Sequence, residues 1–484
     1  MSSEPRHLHP AAMLIDAIKS IRRSLSAFVI PGVAFLASRG FDARTIVLVL
    51  LGALVVAVLG AVWGFLSWRA TTYEVAGGAF RLRQGVVQKN ERTIPLDHVQ
   101  SVDTVQGLIQ RLFGVVEVRV ETAGGGTSEP DASLAALDRA DAEALRREIE
   151  GSRRVPVEAE EGLAVLRRLG RRELLVAGAT SGQIGVALSL IAVASQLFDD
   201  VLSEDLAQRL VGILAPRSVT AVLLLVLALG LLAWILAIGG TVLAYTGFTL
   251  SRDGEFLYIG RGLLERREAT IPLARIQAVR VVEGLLRQPL GLASLRVESA
   301  GYGEDAGVST TLFPLLPRKE AQALLLDAAP EFAVAPPLNP LPRRALRRYV
   351  FRSTAPTLFL IFAAALVSFL VFDLAWGLAA LLLVLPAAFY GWLRYRDAGW
   401  ALEGDRLVVR SRLLTRTTAI APRRRLQWRA TVRSPLQRRA HLATFQAQVA
   451  SGGGGKELRV TDLGAEAAET LVYDLRPGAR SRVS

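Results

Sequence analysis

The chain of 484 residues has no cysteine, two methionines and four histidines. Without thiols there is no disulfide framework, no thiolate metal centre and no cysteine nucleophile. Histidines this sparse make a histidine-based zinc site an unattractive reading. Acids are outnumbered, 44 Asp and Glu against 57 Lys and Arg, so the net charge is +13. Wholesale disorder is excluded because 51% of residues are hydrophobic, far more than a chain that cannot bury a core. At roughly 100–200 residues per domain, the length corresponds to two to four units.

Charge is also missing from long stretches. Ile46–Trp68, Leu174–Phe198 and Val219–Tyr245 carry none, and Ser353–Phe372 and Leu374–Trp392 flank the single acid Asp373. Ser24–Ser38 is shorter and contains Pro31 and Gly32. Crossing a bilayer takes roughly 20 apolar residues, and a charge at its centre costs about 2.5–3.5 kcal/mol on insertion scales. These runs therefore read as six transmembrane helices in three hairpin pairs, over 24–68, 174–245 and 353–393. Trp63, Trp68, Tyr245, Trp376, Tyr390 and Trp392 stand near run ends, where interfacial aromatics belong. Lys19, Arg22 and Arg23 precede an apolar stretch, but a second span follows and no small-x-small cleavage pattern appears, so the start reads as an anchor hairpin rather than a signal peptide.

Loop charges orient the pairs. The connector Asp199–Ser218 holds Asp199, Asp200, Glu204 and Asp205 against Arg209 and Arg217, while arginines crowd the flanks, including Arg22, Arg23, Arg69, Arg171, Arg172, Arg347, Arg348, Arg394 and Arg396. Positive flanks stay cytoplasmic. The hairpin tips then face outward, with both termini cytoplasmic in a multi-pass cell-membrane protein.

Self-similarity organises the rest. Trp68–Gly124, Tyr245–Gly301 and Tyr395–Ser451 align without a gap, at offsets of 177 and 150 residues. Pro95, Pro272 and Pro422 coincide, and five residues later so do Gln100, Gln277 and Gln427. "GLIQRLFG" from Gly107 matches "GLLRQPLG" from Gly284, and "VRVETAG" from Val118 matches "LRVESAG" from Leu295. The third copy diverges, with Arg412, Ser434 and His441 where the others have glycine. Alternating runs broken by Gln84–Gly85 and Arg261–Gly262 predict hairpins. Helices are predicted over Asp138–Glu150, Lys319–Asp327 and Ala465–Tyr473. Short strands followed by one helix describe a small β-sandwich or barrel plugged by that helix.

With these motifs in view the chain resembles the bacterial pleckstrin-homology-like membrane proteins of the YdbS/YdbT type. The resemblance rests on Arg83–Val86, Ile94–Val102, Gly107–Gly114 and Arg119–Gly124, with counterparts at Arg261–Leu263, Ile271–Val279, Gly284–Gly291 and Arg296–Gly301. It covers nearly the whole chain. It implies an α+β membrane protein in which each span pair is followed by a cytoplasmic bent β-sandwich with a capping C-terminal helix. It supplies no catalytic residues and implies a loose link to cell-envelope protection. The domains then fall at 69–152, 246–330 and 394–476, with a tail over 1–23, linkers over 153–173 and 331–352, and a tail over 477–484.

Little chemistry survives inspection. Gly124–Gly126 and Gly452–Gly455 lack the G-x-x-x-x-G-K-[ST] spacing of a phosphate loop and read as strand connectors. His7 and His9 have no further ligands nearby in sequence, and Asp97–His98 is not repeated, since Arg275 and Arg425 stand at the histidine's place. "GATSG" from Gly178 lacks a central serine, so it is no nucleophile elbow. The recurrent Gln100, Gln277 and Gln427 either bond backbone at an irregular sheet edge or contact a partner. Arg394–Arg439 contains thirteen arginines and three acids, a net of +10, with Arg423, Arg424, Arg425, Arg429, Arg433, Arg438 and Arg439 as a candidate headgroup-binding set. Cations near an anionic leaflet gain about 1 kcal/mol each. An ordinary positive-inside face is the alternative, and nucleic acid is not expected, since Trp428 is nearly the only interleaved aromatic. The reading is a non-enzymatic scaffold without cofactor. Its partners would be anionic inner-leaflet lipids, and either another copy of itself or a related single-domain membrane protein. The alternative is a lipid or small-molecule transporter using mid-span polar residues such as Gln183.

Overall fold

The structure is a computed structural model and describes residues 5–18, 43–122, 132–151, 164–181, 219–299, 311–371, 383–451 and 455–476. Each repeat supplies four strands and then three. The first has β1 (Arg6–His7), β2 (Thr72–Ala76), β3 (Ala79–Gln84) and β4 (Asn90–Pro95), then β5 (Val99–Gln106), β6 (Val115–Thr122) and β7 (Ala132–Asp138). The second has β8 (Ala164–Arg168), β9 (Thr249–Asp253), β10 (Phe256–Arg261) and β11 (Arg266–Pro272), then β12 (Ile276–Glu283), β13 (Leu292–Ser299) and β14 (Thr311–Pro317). The third has β15 (Asn339–Pro340), β16 (Gly399–Glu403), β17 (Arg406–Arg412) and β18 (Arg416–Pro422), then β19 (Leu426–Val432), β20 (Leu442–Val449) and β21 (Lys456–Gly464).

The chain divides into two compact units, Met1–Pro272 and Leu273–Ser484. In the first, β1-β2-β3-β4 form one sheet and β7-β6-β5-β11-β10-β9-β8 form another. In the second, β14-β13-β12-β18-β17-β16-β15 form a seven-stranded sheet and β19-β20-β21 a three-stranded one. The repeats are therefore not separate beads. The three-stranded half of one repeat continues, edge to edge, into the four-stranded half of the next, through β5–β11 and again through β12–β18.

The first strand of each four-stranded half precedes that repeat's pair of apolar runs in the chain. β1 pairs β2, β8 pairs β9 and β15 pairs β16. This corrects the division into tail and linkers over 1–23, 153–173 and 331–352, because each of those segments contributes a strand to the module that follows. These strands leave no alternating pattern in the sequence: β1 and β15 are only two residues long, and β8, Ala-Val-Leu-Arg-Arg, groups its apolar and its basic residues instead of alternating them. The apolar pair is thus inserted into the sheet. In the first and third repeats its exit is pinned by an aromatic donor at the same repeat position. The Trp68 Nε1–H donates to the Leu8 carbonyl at 2.8 Å, and the Tyr395 hydroxyl to the Leu341 carbonyl at 3.1 Å.

Each complete module closes on its helix. In the first, Phe80, Leu82, Val118 and Leu134 pack with Ala142, Leu145 and Ile149 of the helix Arg139–Gly151. In the third, Leu407, Phe445 and Val460 pack with Ala468 and Leu471 of Ala465–Asp474. Full burial of a large apolar side chain is worth about 1.5–3 kcal/mol, so these helices hold the two sheets together as the pattern predicted. The glycine hairpins also appear. Gly85 and Gly262 adopt φ +111° and +108°, and a Cβ on either would lie 2.0 Å from a backbone oxygen. At the corresponding Arg412 the strand instead runs on, and its guanidinium reaches Asp397. His441 keeps the left-handed backbone of Gly114 and Gly291 (φ +48°, +70° and +64°), and Ser434 caps the short helix Pro435–Arg439 by accepting from the Gln437 N–H at 3.2 Å. The divergent third copy retains the module.

Among the described residues one helix, Val226–Tyr245, is long and apolar enough to cross a membrane, and Leu54–Ala70 is a shorter apolar helix. The six spans of the sequence reading are not all reached, since 24–38, 182–198 and 374–382 lie outside the described residues. Helices Ala43–Ala70 and Arg343–Val371 expose large apolar side chains, including Leu54, Leu59, Phe359 and Phe362. Contiguous apolar surface of this kind marks a non-aqueous neighbour.

Small residues bring paired helices together. A Cβ on Gly391 would meet the Val350 Cα at 2.7 Å, one on Gly64 the Met13 carbonyl oxygen at 2.4 Å, and one on Gly178 the Ile238 Cα at 3.1 Å. Gly391→Leu should therefore destabilise the protein by about 1–3 kcal/mol, as overpacking does. Gly52→Leu, where a Cβ meets nothing within 4 Å, should leave it unchanged. Thermal unfolding in one detergent compares the two.

Candidate functional site

The candidate arginines do not form one patch. Arg423, Arg424 and Arg425 make a single turn after β18, and Arg429 lies partway along β19. Arg433, Arg438 and Arg439 stand beyond its other end. Seven residues at about 3.3 Å each place the two groups about 20 Å apart. Linear clustering suggested one surface, and the intervening strand separates it. Arg424 pairs with Glu331 at 2.7 Å, and Arg433 pairs with Glu469. Burial depresses the pKa of Arg425, with Arg424 and Arg275 adding like charge. Burial, then Arg423 and Arg476, depress that of Arg429. Arg438 and Arg439 are exposed. The first group is thus a crowded cationic turn, where an external anion would relieve repulsion.

The three glutamines share a structural position. Each ladder between the first and second strands of a three-stranded half skips a residue, at Val99/Ser101, Ile276/Ala278 and Leu426/Trp428. Gln100, Gln277 and Gln427 are the extra residues of these β-bulges, which bend the strand as it enters the second sheet. Gln277 is buried and donates to the Arg275 carbonyl at 3.0 Å, so there the backbone-bonding alternative is what the structure displays. Gln427 is exposed.

Asp97 and His98 form an exposed surface pair at 3.8 Å. His9 accepts from the Ala11 N–H. Among the described residues no three His, Asp or Glu side chains converge as metal ligands. The glycine runs 124–126 and 452–454 lie outside the described residues, as does Gln183.

Two charged assemblies in the second unit were not anticipated. Asp462, fully buried in a left-handed conformation, receives Arg348 at 3.1 Å, Arg352, and the Gln437 side-chain N–H at 2.8 Å. Both arginines lie on the helix Arg343–Val371, so this carboxylate locks the module to the base of that helix. Tyr349, on the same helix turn, donates to the Thr461 carbonyl at 3.0 Å. Burial, reinforced by Asp462, pushes its phenol up to about 12.

The second assembly borders a cavity of about 960 Å³ between β12, β17, β18, the helix Ala321–Ala328 and the proline-rich segment 334–340. Arg318, Lys319, Arg396 and Arg410 line it, with Asp397 as their counter-charge. Beside it Arg416 grips the buried Glu283 with two nitrogens, and Arg412 holds Asp397. Burial depresses the Arg410 pKa, with Arg318 and Arg416 adding like charge. The cavity therefore has more cation than its own carboxylates neutralise. It lies against the last turn of the helix Val384–Asp397, at the exit of the final apolar run. The arginine density of 394–439 signals Arg396 and Arg410 alone, because the pocket is closed by Arg318 and Lys319, about 100 positions away.

The arrangement defines a class: tandem pleckstrin-homology-like modules, each interrupted by apolar helices. A model described as bacterial PH domain matches residues 25–153, 206–328 and 358–477, and the chain belongs to that family. It is 33% identical over 492 residues to the UPF0699 transmembrane protein YdbT of Bacillus subtilis (strain 168), covering 98% of each chain. No solved structure matches it.

Asp462→Asn should cost about 3 kcal/mol, the loss that follows removal of one partner from a buried ion pair, measured by denaturant unfolding in detergent. The Tyr349 phenol gives a pH signature. Its folded pKa lies above the unfolded value of 10.0, so the folded state holds the proton longer and stability falls as pH rises from 10 to about 12. A wild-type minus Tyr349→Phe difference titration at 295 nm should place the transition near 12.

Proposed function

We propose that the protein is a non-enzymatic integral membrane scaffold. Six spans in three hairpins hold three PH-like modules against the cytoplasmic leaflet, with both termini cytoplasmic. The observation that carries this reading is the insertion of each apolar pair between the first and second strands of a sheet. A domain merely appended to a helix could swing away. A sheet entered and left through the spans is held at the membrane by its own backbone hydrogen bonds. The +10 segment then supplies headgroup contacts from the cationic turn Arg423–Arg425, and from the cavity that its Arg396 and Arg410 line together with Arg318. Tethering raises the effective concentration of such weak contacts. Maintenance or protection of the cell envelope is the use that fits a module array of this kind.

The absence of cysteine makes the topology directly testable. A cysteine at Asp200 should react with an impermeant maleimide on intact cells, whereas one at Glu457 should react only after permeabilisation. Labelling of Glu457→Cys from outside would reject the cytoplasmic placement. For the headgroup contacts, the full chain purified in neutral detergent should retain anionic phospholipid. The Arg423→Gln, Arg424→Gln, Arg425→Gln variant should retain severalfold less, as quantified by lipid extraction, because each cation contributes about 1 kcal/mol.

A further inference from the structure

The two junctions between repeats are the same junction. In the first, Thr104 stands opposite Glu268. Advancing these residues by the repeat offsets, 177 on one strand and 150 on the other, gives Val281 opposite Thr418, which is the pair observed in the second. The first strand of each of these three-stranded halves thus receives the fourth strand of the next four-stranded half, in one register.

Two such edges are left open at the ends of the array. Among the described residues, β4 and β19 each pair on one side only, whereas their counterparts β11, β18, β5 and β12 pair on both. The side chains record the difference. Ala278 of β12 is 0% exposed and Trp428, its equivalent on β19, is 42% exposed, with Val432 at 49%. On β4, Asn90, Glu91, Arg92 and Thr93 are exposed, while the matching Ala419 and Ile420 of β18 are buried. The groove beside the strand tells the same story. Between β5 and the helix Arg139–Gly151 it is flanked by Arg266 and Glu268 of the incoming β11, and about 250 Å³ remains. Between β19 and the helix Ala465–Asp474, where no strand of the described residues enters, it is about 700 Å³. Thr104 and Thr431 occupy the same repeat position in the two grooves.

We infer that β19 of one copy pairs with β4 of a second copy, in antiparallel register, to join chains head to tail. Carrying the junction forward once more places Arg429 opposite Thr93, Ala430 opposite Arg92, Thr431 opposite Glu91 and Val432 opposite Asn90. Glu91 then sits opposite Thr431 and diagonal to both Arg429 and Arg433, within the reach of cross-strand neighbours. Lys89 meets Arg433 only at the end of the ladder, where Glu469 already engages that guanidinium. Exposed strand edges are templates for further pairing, and a contact between two different surfaces of one chain is heterologous, so it builds a closed ring or an open row of chains. The inference does not depend on the headgroup contacts proposed above.

The test uses two differently tagged full chains in one membrane, each with a single cysteine in the cysteine-free background. Val432→Cys in one and Asn90→Cys in the other should form an oxidative cross-link between tags. Val432→Cys with Thr93→Cys, shifted by three residues or about 10 Å, should not. Glu91→Arg added to the Asn90→Cys chain should lower the yield about fivefold through lost cross-strand attraction. No cross-link from the matched pair overturns the proposal, and so does an equal yield from the shifted pair. As a check free of cysteine substitution, the unmodified chain should assemble beyond the monomer in mild detergent as concentration rises, and a monomer at every concentration also overturns it. Maleimide labelling of Asp200→Cys and Glu457→Cys reads membrane placement independently, so failure here leaves that reading standing.

Discussion

Every buried or half-buried strand must place its backbone N–H and C=O groups against a partner, and this requirement shapes the molecule more than any single side chain. A three-stranded half-module has one edge that the next repeat completes. The resulting β5–β11 and β12–β18 ladders turn a tandem repeat into continuous seven-stranded sheets. Each repeat therefore depends on its neighbour for part of its hydrogen bonding, as stacked repeat proteins do. Among the described residues the uncompleted edges fall at the two ends, where the composition of the strands changes to match: β4 is polar and β19 carries arginine and tryptophan.

The second constraint is the insertion of apolar helices into those sheets. A strand too short to stand alone, Arg6–His7 or Asn339–Pro340, is held by pairing with a strand far away in sequence, beyond the apolar runs. The contacts that fasten the exit are specific: Trp68 to Leu8, Tyr395 to Leu341, and the buried Asp462 to Arg348 and Arg352. Glycines at 64, 178 and 391 let the helices meet closely just before they reach the modules. These contacts couple the helix bases directly to the sheets.

The divergence of the third copy is compensated rather than disruptive. His441 tolerates the left-handed conformation that Gly114 and Gly291 adopt, Ser434 gains a capping bond that Gly107 lacks, and Arg412 trades a tight glycine turn for an ion pair with Asp397. Its added arginines are sorted by the fold into a crowded turn, a cavity wall and a terminal group. Residues that looked like one basic patch in linear order thus serve separate surfaces, because a strand between them spans about 20 Å.

Much of the architecture could be read from residue order. Periodicity, the recurrent proline, glutamine and glycine positions, and the uncharged runs are local signals, and they determined the module, its number and its closing helix. Even the glutamines carried their meaning locally, as the spare residues of three bulges. What the order of residues could not disclose was pairing between distant segments. The strands preceding the apolar runs are two residues long in the first and third repeats and without alternation in the second, so they leave no pattern. The register linking one repeat to the next depends on which edges remain open once the halves have folded. The cavity beside Asp397 and the cage around Asp462 draw on residues about 100 positions apart. Those features were decided by tertiary structure, because hydrogen-bond completion and charge burial are settled only when remote parts of the chain come together.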